Sequence, residues 1–234
     1  MAVTTIGEIY TRVGTILQDT SNVRWPKTEL EDWINDAYKE IVLHRPDANS
    51  ETASVTLSQG SRQKLSSTEI NLPSALRVID VIRNVAGTSN SEAIRLIDRM
   101  VLDDQVPGWH AVSDSINVKH WMFDRRAPKE FLVYPPAPDP ASTPAEVELL
   151  YAYVPTGHDG DAENTTIKLD DIYANIIVDY VLYRAYSKDV EYAGDANMAA
   201  ARYQAFTNAL VTSRDGGNKD TINIGKMPDD SEAT

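Results

Sequence analysis

The sequence contains no cysteine and no long apolar segment. The first absence excludes a disulfide framework, a thiolate zinc site and a cysteine nucleophile, and it fits a reducing compartment. The second argues against a membrane-spanning helix, which needs roughly 18 consecutive apolar residues. The first residues also lack the basic and apolar regions of a signal peptide. We therefore expect neither secretion nor membrane insertion, and we expect assembly in the cytoplasm.

Basic side chains are also scarce, because 22 Lys and Arg residues stand against 35 Asp and Glu residues. The formal charge of -13 at pH 7 argues against a protein that binds nucleic acid, since neutralising the phosphates of nucleic acid requires a basic surface. Such a chain can still lie beside DNA that passes it without specific binding.

More than half of the negative excess lies in residues 139–171, where eight carboxylates stand against Lys168 alone. The eight are Asp139, Glu146, Glu148, Asp159, Asp161, Glu163, Asp170 and Asp171. A charge run of this kind is typical of a solvated loop. The alternative is an acidic surface that keeps a polyanion from adhering.

Motifs that would place a nucleophile, a metal or a nucleotide are missing from the sequence. There is no G-x-S-x-G, H-E-x-x-H or Walker pattern, and the four histidines have no ligand spacing. Residues 159–170 weakly resemble a calcium loop, but the sixth position is not glycine and Ile167 stands where an oxygen ligand is required. We therefore predict a protein that is not an enzyme and has no cofactor and no metal site.

Apolar residues recur every three or four positions in four segments, which predicts four α-helices. The first begins after a capping box of Thr5 and Glu8, and the second covers residues 28–44 with Pro26 as an alternative start. The third follows a cap at Asp170 and is apolar on almost all sides, and the fourth follows Asp195.

Residues 53–154 largely lose the helical period and predict short strands. The candidates are 53–57, 77–85, 116–123, 130–134 and 147–154, with turns at Gln59–Gly60, Leu72–Pro73, Gly87–Thr88 and Pro135–Pro136. Residues 98–105 predict one or two helical turns. The predicted fold is α+β: the helices of residues 1–50 and 169–212 form a bundle, and a projecting, mainly antiparallel β-rich insertion occupies residues 51–168.

Residues 213–234 predict an extended C-terminal tail, with Gly216–Gly217 as a flexible hinge. Ile222 and Ile224, two positions apart, are typical of a strand that adds to the sheet edge of another chain. A disordered terminus is the alternative.

Aromatic residues are mainly of the kinds found at subunit interfaces, with 11 Tyr and 4 Trp against 3 Phe. Successive residues turn by about 100° on a helix, so Tyr183, Arg184 and Tyr186 point in several directions. One small bundle cannot bury all of them, and we expect some of them at subunit contacts.

An ordered set of fragments in this sequence is similar to one known family. The fragments are Arg24–Trp25, Glu29–Leu30, 33–37, 40–42, Arg45–Pro46, Gln59–Gly60 with Gln63 and Leu65, Leu72–Pro73, Leu76–Arg77, Asp80–Val81, 133–136, 180–189, Tyr192, Asn197, Ala200, Tyr203 and Phe206. Together they cover roughly residues 5–210 and resemble the phage adaptor family, the head-to-tail connector proteins of short-tailed bacteriophages. The sequence departs from that family at Ser66, where proline is expected, and after Ser213.

This resemblance implies a structural virion protein without catalytic residues, at the portal–tail junction of a podovirus. The family forms a ring of twelve subunits below the portal protein and connects it to tail nozzle or tail fibre proteins. The genomic DNA leaves the capsid through the lumen of the ring during DNA ejection. Assembly would take place in the host cytoplasm.

Two sets of residues are expected to carry this function. The set expected to bind the portal or a neighbouring subunit is Ile222, Ile224, Met227, Tyr183, Arg184 and Tyr186. The set expected to line the channel is Asp159, Asp161 and Glu163. The alternatives are a virion-associated peptidoglycan hydrolase and another ring-forming protein, such as a tail nozzle or head-completion protein.

Overall fold

The structure, a computed structural model, describes residues 3–85, 91–160, 162–188 and 193–218. These residues form a mixed α+β fold, as the sequence predicts. The helices are α1 (Ile6–Ile16), α2 (Lys27–His44), α3 (Arg99–Gln105), α4 (Ala174–Lys188) and α5 (Ala193–Asn218). The strands are β1 (Ser50–Thr56), β2 (Gly60–Lys64), β3 (Ala75–Asn84), β4 (Arg95–Leu96), β5 (His120–Phe123), β6 (Glu130–Ala137) and β7 (Glu146–Tyr153).

The chain divides into two compact units. The helical unit comprises Met1–Ala37 and His158–Thr234, and the β unit comprises Tyr38–Gly157. Both ends of the chain therefore contribute to one unit. Within the described ranges, no helix combines the length and the apolar character that crossing a bilayer requires.

The β unit contains a three-stranded sheet in the order β1-β7-β3 and a four-stranded sheet in the order β2-β6-β5-β4. The ladders are antiparallel except for β4 and β5, which are parallel. Side chains alternate between the two faces of a strand, so every second residue of β7 points to the same side. Val147, Leu149 and Tyr151 of β7 join one apolar cluster with Trp121 and Phe131 of the other sheet.

The four-stranded sheet is also covered on its opposite face. Met122 of β5 packs there with Leu102 of α3 and with Trp109, and Trp109 is fully buried. The indole N–H of Trp109 donates to the Asp103 carboxylate at 2.9 Å. This bond satisfies the polar atom of a buried aromatic side chain, so α3 serves as a cap on the sheet.

Two fully buried amide side chains hold the irregular connections of the β unit. Gln63 Oε1 accepts from the N–H of Ser58 at 2.7 Å, and Gln63 Nε2 donates to the carbonyls of Ser58 at 2.7 Å and Gly60 at 3.0 Å. Gly60 has a φ of +97°, which favours glycine at this turn. Asn84 binds both the N–H and the carbonyl of Val118, at 2.9 Å and 2.8 Å.

The predicted turn at Pro135–Pro136 is wrong, because both prolines lie inside β6. The ladder with β5 ends at Tyr134, and the ladder with β2 has a bulge between Gly60 and Arg62. At Pro135 and Pro136, therefore, neither neighbouring strand requires an N–H from β6. Proline, which has no N–H, is tolerated there. Strand β2 was not among the predicted strands.

Among the helices, the predicted α1, α2 and α4 are confirmed, and so is the capping box of Thr5 and Glu8. The fourth predicted helix is also confirmed, but α5 continues to Asn218. The predicted extended tail is therefore wrong for residues 213–218, including the Gly216–Gly217 hinge. Residues 219–234 lie outside the described residues.

The buried amide of Gln63 provides a test of the β unit. We expect Gln63→Leu to lower the free energy of unfolding by about 2–4 kcal/mol, because it leaves the part-buried N–H and carbonyls of the turn without their side-chain partner. Urea denaturation followed by near-ultraviolet circular dichroism measures this loss. The control is Gln59→Leu at an exposed glutamine of the same turn. Equal midpoints for both variants would contradict the role of Gln63.

The packing of α4 on α5 provides a test of the helical unit. Phe206 is fully buried, and its ring centroid lies 5.2 Å from that of Tyr180. We expect Phe206→Ala to cost about 3–5 kcal/mol and to speed amide hydrogen exchange throughout α4. The control on the same helix is Val211→Ala, at a side chain that is 60% exposed. If α4 exchanges equally fast in both variants, α4 does not depend on α5.

Candidate functional site

Two aromatic side chains of α4, Tyr180 and Tyr183, pack on aromatic rings of α5 within the same chain. The ring of Tyr183 lies 4.9 Å from Tyr203 and 5.7 Å from Tyr180, and Tyr203 stacks on Phe206 at 6.0 Å. Aromatic pairs at these distances contribute packing energy beyond the area that they bury. Tyr183, which the sequence assigns to a subunit contact, therefore has a contact inside its own chain and is half-buried there.

The cations of α4 pair with carboxylates of α2. Lys188 Nζ lies 2.6 Å from Glu29, and an Arg184 nitrogen lies 3.4 Å from Asp36. Sequence analysis missed both pairs, because nothing in a single sequence tells which residues meet between two helices this far apart in the chain. Arg184, the second residue assigned to a subunit contact, is thus bound within its own unit.

Tyr186 differs from its two neighbours on α4. Its side chain is half-buried, and no hydrogen bond or ring contact joins it to another residue in the described ranges. Of the three α4 residues assigned to a partner, Tyr186 is therefore the one whose ring is least engaged by its own chain.

Residues 158–160 and 162–171 run along the start of α1 and the middle of α2. Thr5 and Thr166 form an antiparallel bridge, in which the N–H of Ile6 donates to Thr165 at 2.9 Å. The side chain of Asn35 closes a two-bond ring with the backbone of His158, at 2.8 Å and 2.9 Å. These bonds place the loop that carries Asp159 and Glu163 in the helical unit.

Asp171 ties the first residues of the chain to the start of α4. Its carboxylate accepts from the N–H of Val3 at 2.8 Å and of Thr4 at 2.8 Å. The bond from Thr4, followed by that from Val3, holds the pKa of Asp171 below its usual value. The contribution of this carboxylate to stability is present above the pKa of the unfolded chain and is lost as the pH falls through the lowered folded-state pKa.

Asp19 organises the connection between α1 and α2 by the same means. Its carboxylate accepts from the N–H groups of Val23, Arg24 and Trp25 at 2.9–3.0 Å. The bond from Trp25 is the largest cause of the lowered pKa of Asp19. The fixed Trp25 ring packs on Trp33 at 5.7 Å, so these family-like residues are structural.

His158 is the buried histidine of this region. Its imidazole Nδ1 lies 3.1 Å from the hydroxyl of Thr165. Burial lowers the pKa of His158, the positive charge of Lys168 lowers it further, and the carboxylate of Glu31 opposes them. Burial thus favours the neutral imidazole, which suits a packing residue.

Most carboxylates of residues 139–171 bind an N–H group or a cation of their own chain. Asp139 accepts from the N–H of Ala141 at 3.0 Å, Glu148 pairs with Arg83, and Asp170 accepts from the N–H of Ile172 at 3.2 Å.

The three carboxylates assigned to the channel differ in their surroundings. Glu163 lies 2.7 Å from Lys27. Asp159 is exposed and has no described ion pair, and Asp161 lies outside the described residues.

No arrangement suited to catalysis stands out in the described part of the chain. A cavity of about 140 Å³ lies between Tyr10, Asn22, Lys27 and Glu163, which is smaller than the roughly 300 Å³ of the smallest typical ligand sites. No group of three or more His, Asp or Glu side chains in the same ranges is arranged to hold a metal ion.

The contact closest to a nucleophile–base pair joins the hydroxyl of Ser61 to Nδ1 of His110 at 2.7 Å. His110 is exposed and stacks on Trp109 at 3.6 Å between ring centroids. A hydrolase needs a third group that orients the base, and no described carboxylate bonds to His110.

Three of the residues assigned to a partner, Ile222, Ile224 and Met227, lie outside the described residues. The site residues that the structure does describe fall on two surfaces of the helical unit, namely α4 and the loop before it.

Comparison with known families gives one finding for nearly the whole chain. A family model described as SU10 adaptor protein matches residues 4–223. Among curated proteins, none matches the chain significantly. The match includes both units and the ordered fragments that resemble phage adaptors. The chain therefore belongs to the SU10 adaptor protein family, a family of phage head-tail adaptors and virion structural proteins.

Proposed function

We propose that the chain is the subunit of a dodecameric ring that joins the portal of a short-tailed phage to its tail. The ring binds the portal on one side and tail nozzle or tail fibre proteins on the other, and DNA leaves through its lumen without specific binding. Family membership over residues 4–223 is the observation that carries this proposal. The acidic charge of the chain supports it, because a negative lumen does not hold DNA.

The proposed contact with the portal or a neighbour uses α4 and the tail. Tyr186 is the α4 residue most available to a partner, while Tyr183 and Arg184 present the parts of their side chains that Tyr203 and Asp36 leave exposed. In the tail, Ile222 and Ile224 add a strand to the partner's sheet, and Met227 adds apolar area. Twelve tethered contacts strengthen an association that is weak for a single copy.

Co-sedimentation with purified portal rings tests the adaptor role. We expect the full chain to bind at one copy per portal subunit, and we expect Ile222→Ser combined with Ile224→Ser to weaken binding by at least about tenfold, because apolar anchors dominate such contacts. The control is Thr221→Ser, which preserves the apolar pair.

If the full chain, the Ile222→Ser, Ile224→Ser variant and the control bind portal equally, the tail has no role in binding, while the adaptor role is supported. Failure of the full chain to bind portal would overturn the adaptor role itself. A tail nozzle protein would then be expected to bind tail subunits instead, and a hydrolase would be expected to cleave peptidoglycan.

The proposed lumen surface includes Asp159, Asp161 and Glu163. We expect Asp159→Lys to make assembled portal–adaptor rings retain labelled duplex DNA at low salt, since each added cation attracts phosphate. The control is Asp114→Lys, at an exposed carboxylate of the β unit. Gel electrophoresis of the assembled rings measures retained DNA. If both variants retain equal amounts, residue 159 does not face the lumen.

A further inference from the structure

One end of the four-stranded sheet carries a concentration of positive charge, here called the basic end. It is formed by Arg62, Lys64, Arg77, Arg125, Arg126 and Lys129. The last three lie in the turn between β5 and β6. Lys64 of β2 pairs in register with Glu130, the first residue after that turn. Arg77 of β3 reaches the same place, because its guanidinium lies 5.8 Å from the Phe123 ring.

The turn that presents these cations is held by its own backbone. The Asp124 carboxylate accepts from the N–H of Arg126 at 2.9 Å, and the carbonyl of Asp124 accepts from Ala127 at 3.0 Å. The N–H of Val78 in β3 donates to the carbonyl of Pro128 at 3.1 Å. The turn is therefore anchored to both sheets of the unit, while the side chains of Arg125, Arg126 and Lys129 are exposed.

The carboxylates at this end do not neutralise its cations. Glu130 lies 3.1 Å from Lys64 and 3.9 Å from Arg62, so two cations share one carboxylate. No described ion pair reaches the two arginines or the lysine of the turn. In addition, Arg77 Nε is buried and has no hydrogen-bond partner among the described residues.

The charge of the basic end is opposite to that of the rest of the chain. Its six cations exceed Asp124 and Glu130 by four, so with a total of -13 the remaining residues carry -17. At physiological salt the Debye length is about 8 Å, so the local positive charge is felt by anything that touches this end.

We propose that the basic end binds exposed carboxylates of a second copy of this chain, in a head-to-tail contact. Copies that carry -13 repel each other, and a contact between unlike patches removes this repulsion where they meet. A head-to-tail contact repeated around an axis forms a ring when the rotation between neighbours closes on itself. The inference thus rests on the proposed ring and identifies one of its two contacting surfaces. The excess of negative charge elsewhere on the chain favours this occupant over nucleic acid.

Sedimentation velocity of the purified full chain, without portal, tests this contact. We expect self-association at about 0.15 M salt, where repulsion between the net charges is screened beyond about 8 Å, and we expect it to weaken at about 1 M salt, where the contact between the charged patches is screened as well. Arg125→Glu combined with Arg126→Glu should raise the dissociation constant by at least about tenfold, because it reverses the patch that meets the neighbour. The control is Arg95→Glu combined with Lys119→Glu, which changes the net charge equally at two exposed cations of the same unit.

Carbodiimide cross-linking of a mixture of isotopically light and heavy chains gives a second readout. We expect Lys129 of one copy to be joined to a carboxylate of the other, and we expect this link to be lost in the Arg125→Glu, Arg126→Glu variant. Equal weakening of association in the variant and the control, or no association of the full chain at about 0.15 M salt, would overturn the inference.

Binding of labelled duplex DNA by the basic end, in place of a second copy, would overturn the inference as well. Portal is absent from these measurements, so their failure leaves the result of portal co-sedimentation unchanged. Conversely, a chain that fails to bind portal can still self-associate through Arg125 and Arg126, so that failure would not contradict this inference.

Discussion

The excess of carboxylates over cations is the constraint on which this structure depends. With 35 acidic and 22 basic side chains, the fold cannot give every carboxylate a cation. Backbone N–H groups take that role at Asp19, Asp124 and Asp171, each of which holds a connection in place. The scarce cations Arg184 and Lys188 lie where α4 meets α2. Ionised acceptors make strong hydrogen bonds with amides, so connections that would otherwise be loose acquire a defined geometry.

The parts of the fold that depend on local signals were predictable from the sequence. The capping side chains of Thr5 and Asp170 accept hydrogen bonds from N–H groups that are at most three residues away. The start of α1 and the turn that leads into α4 therefore follow from the sequence alone. The prolines of β6 were misjudged because their tolerance depends on a bulge in a ladder with residues more than 70 positions away. The end of α5 was placed too early because Gly216–Gly217 disfavours a helix by local propensity.

The candidate surfaces were predictable in kind but not in detail. A row of tyrosines on α4 indicated a contact, yet whether the partner is α5 or another subunit depends on which helices pack together. The acidic stretch of residues 139–171 similarly reads as one surface in the sequence, while in the structure Glu148 and Glu163 belong to different units and are paired with different cations. Membership of the adaptor family supports a structural role for the chain.

The bridge between Thr5 and Thr166, together with the bond from Thr4 to Asp171, has a consequence for synthesis of the chain. The start of α1 meets Thr166 only after more than 150 further residues have been translated, whereas the β unit is complete once Gly157 has emerged from the ribosome. Domains generally fold as units during synthesis. The β unit therefore matures first on the nascent chain, and α1 and the part of α2 before Tyr38 gain their C-terminal partners afterwards.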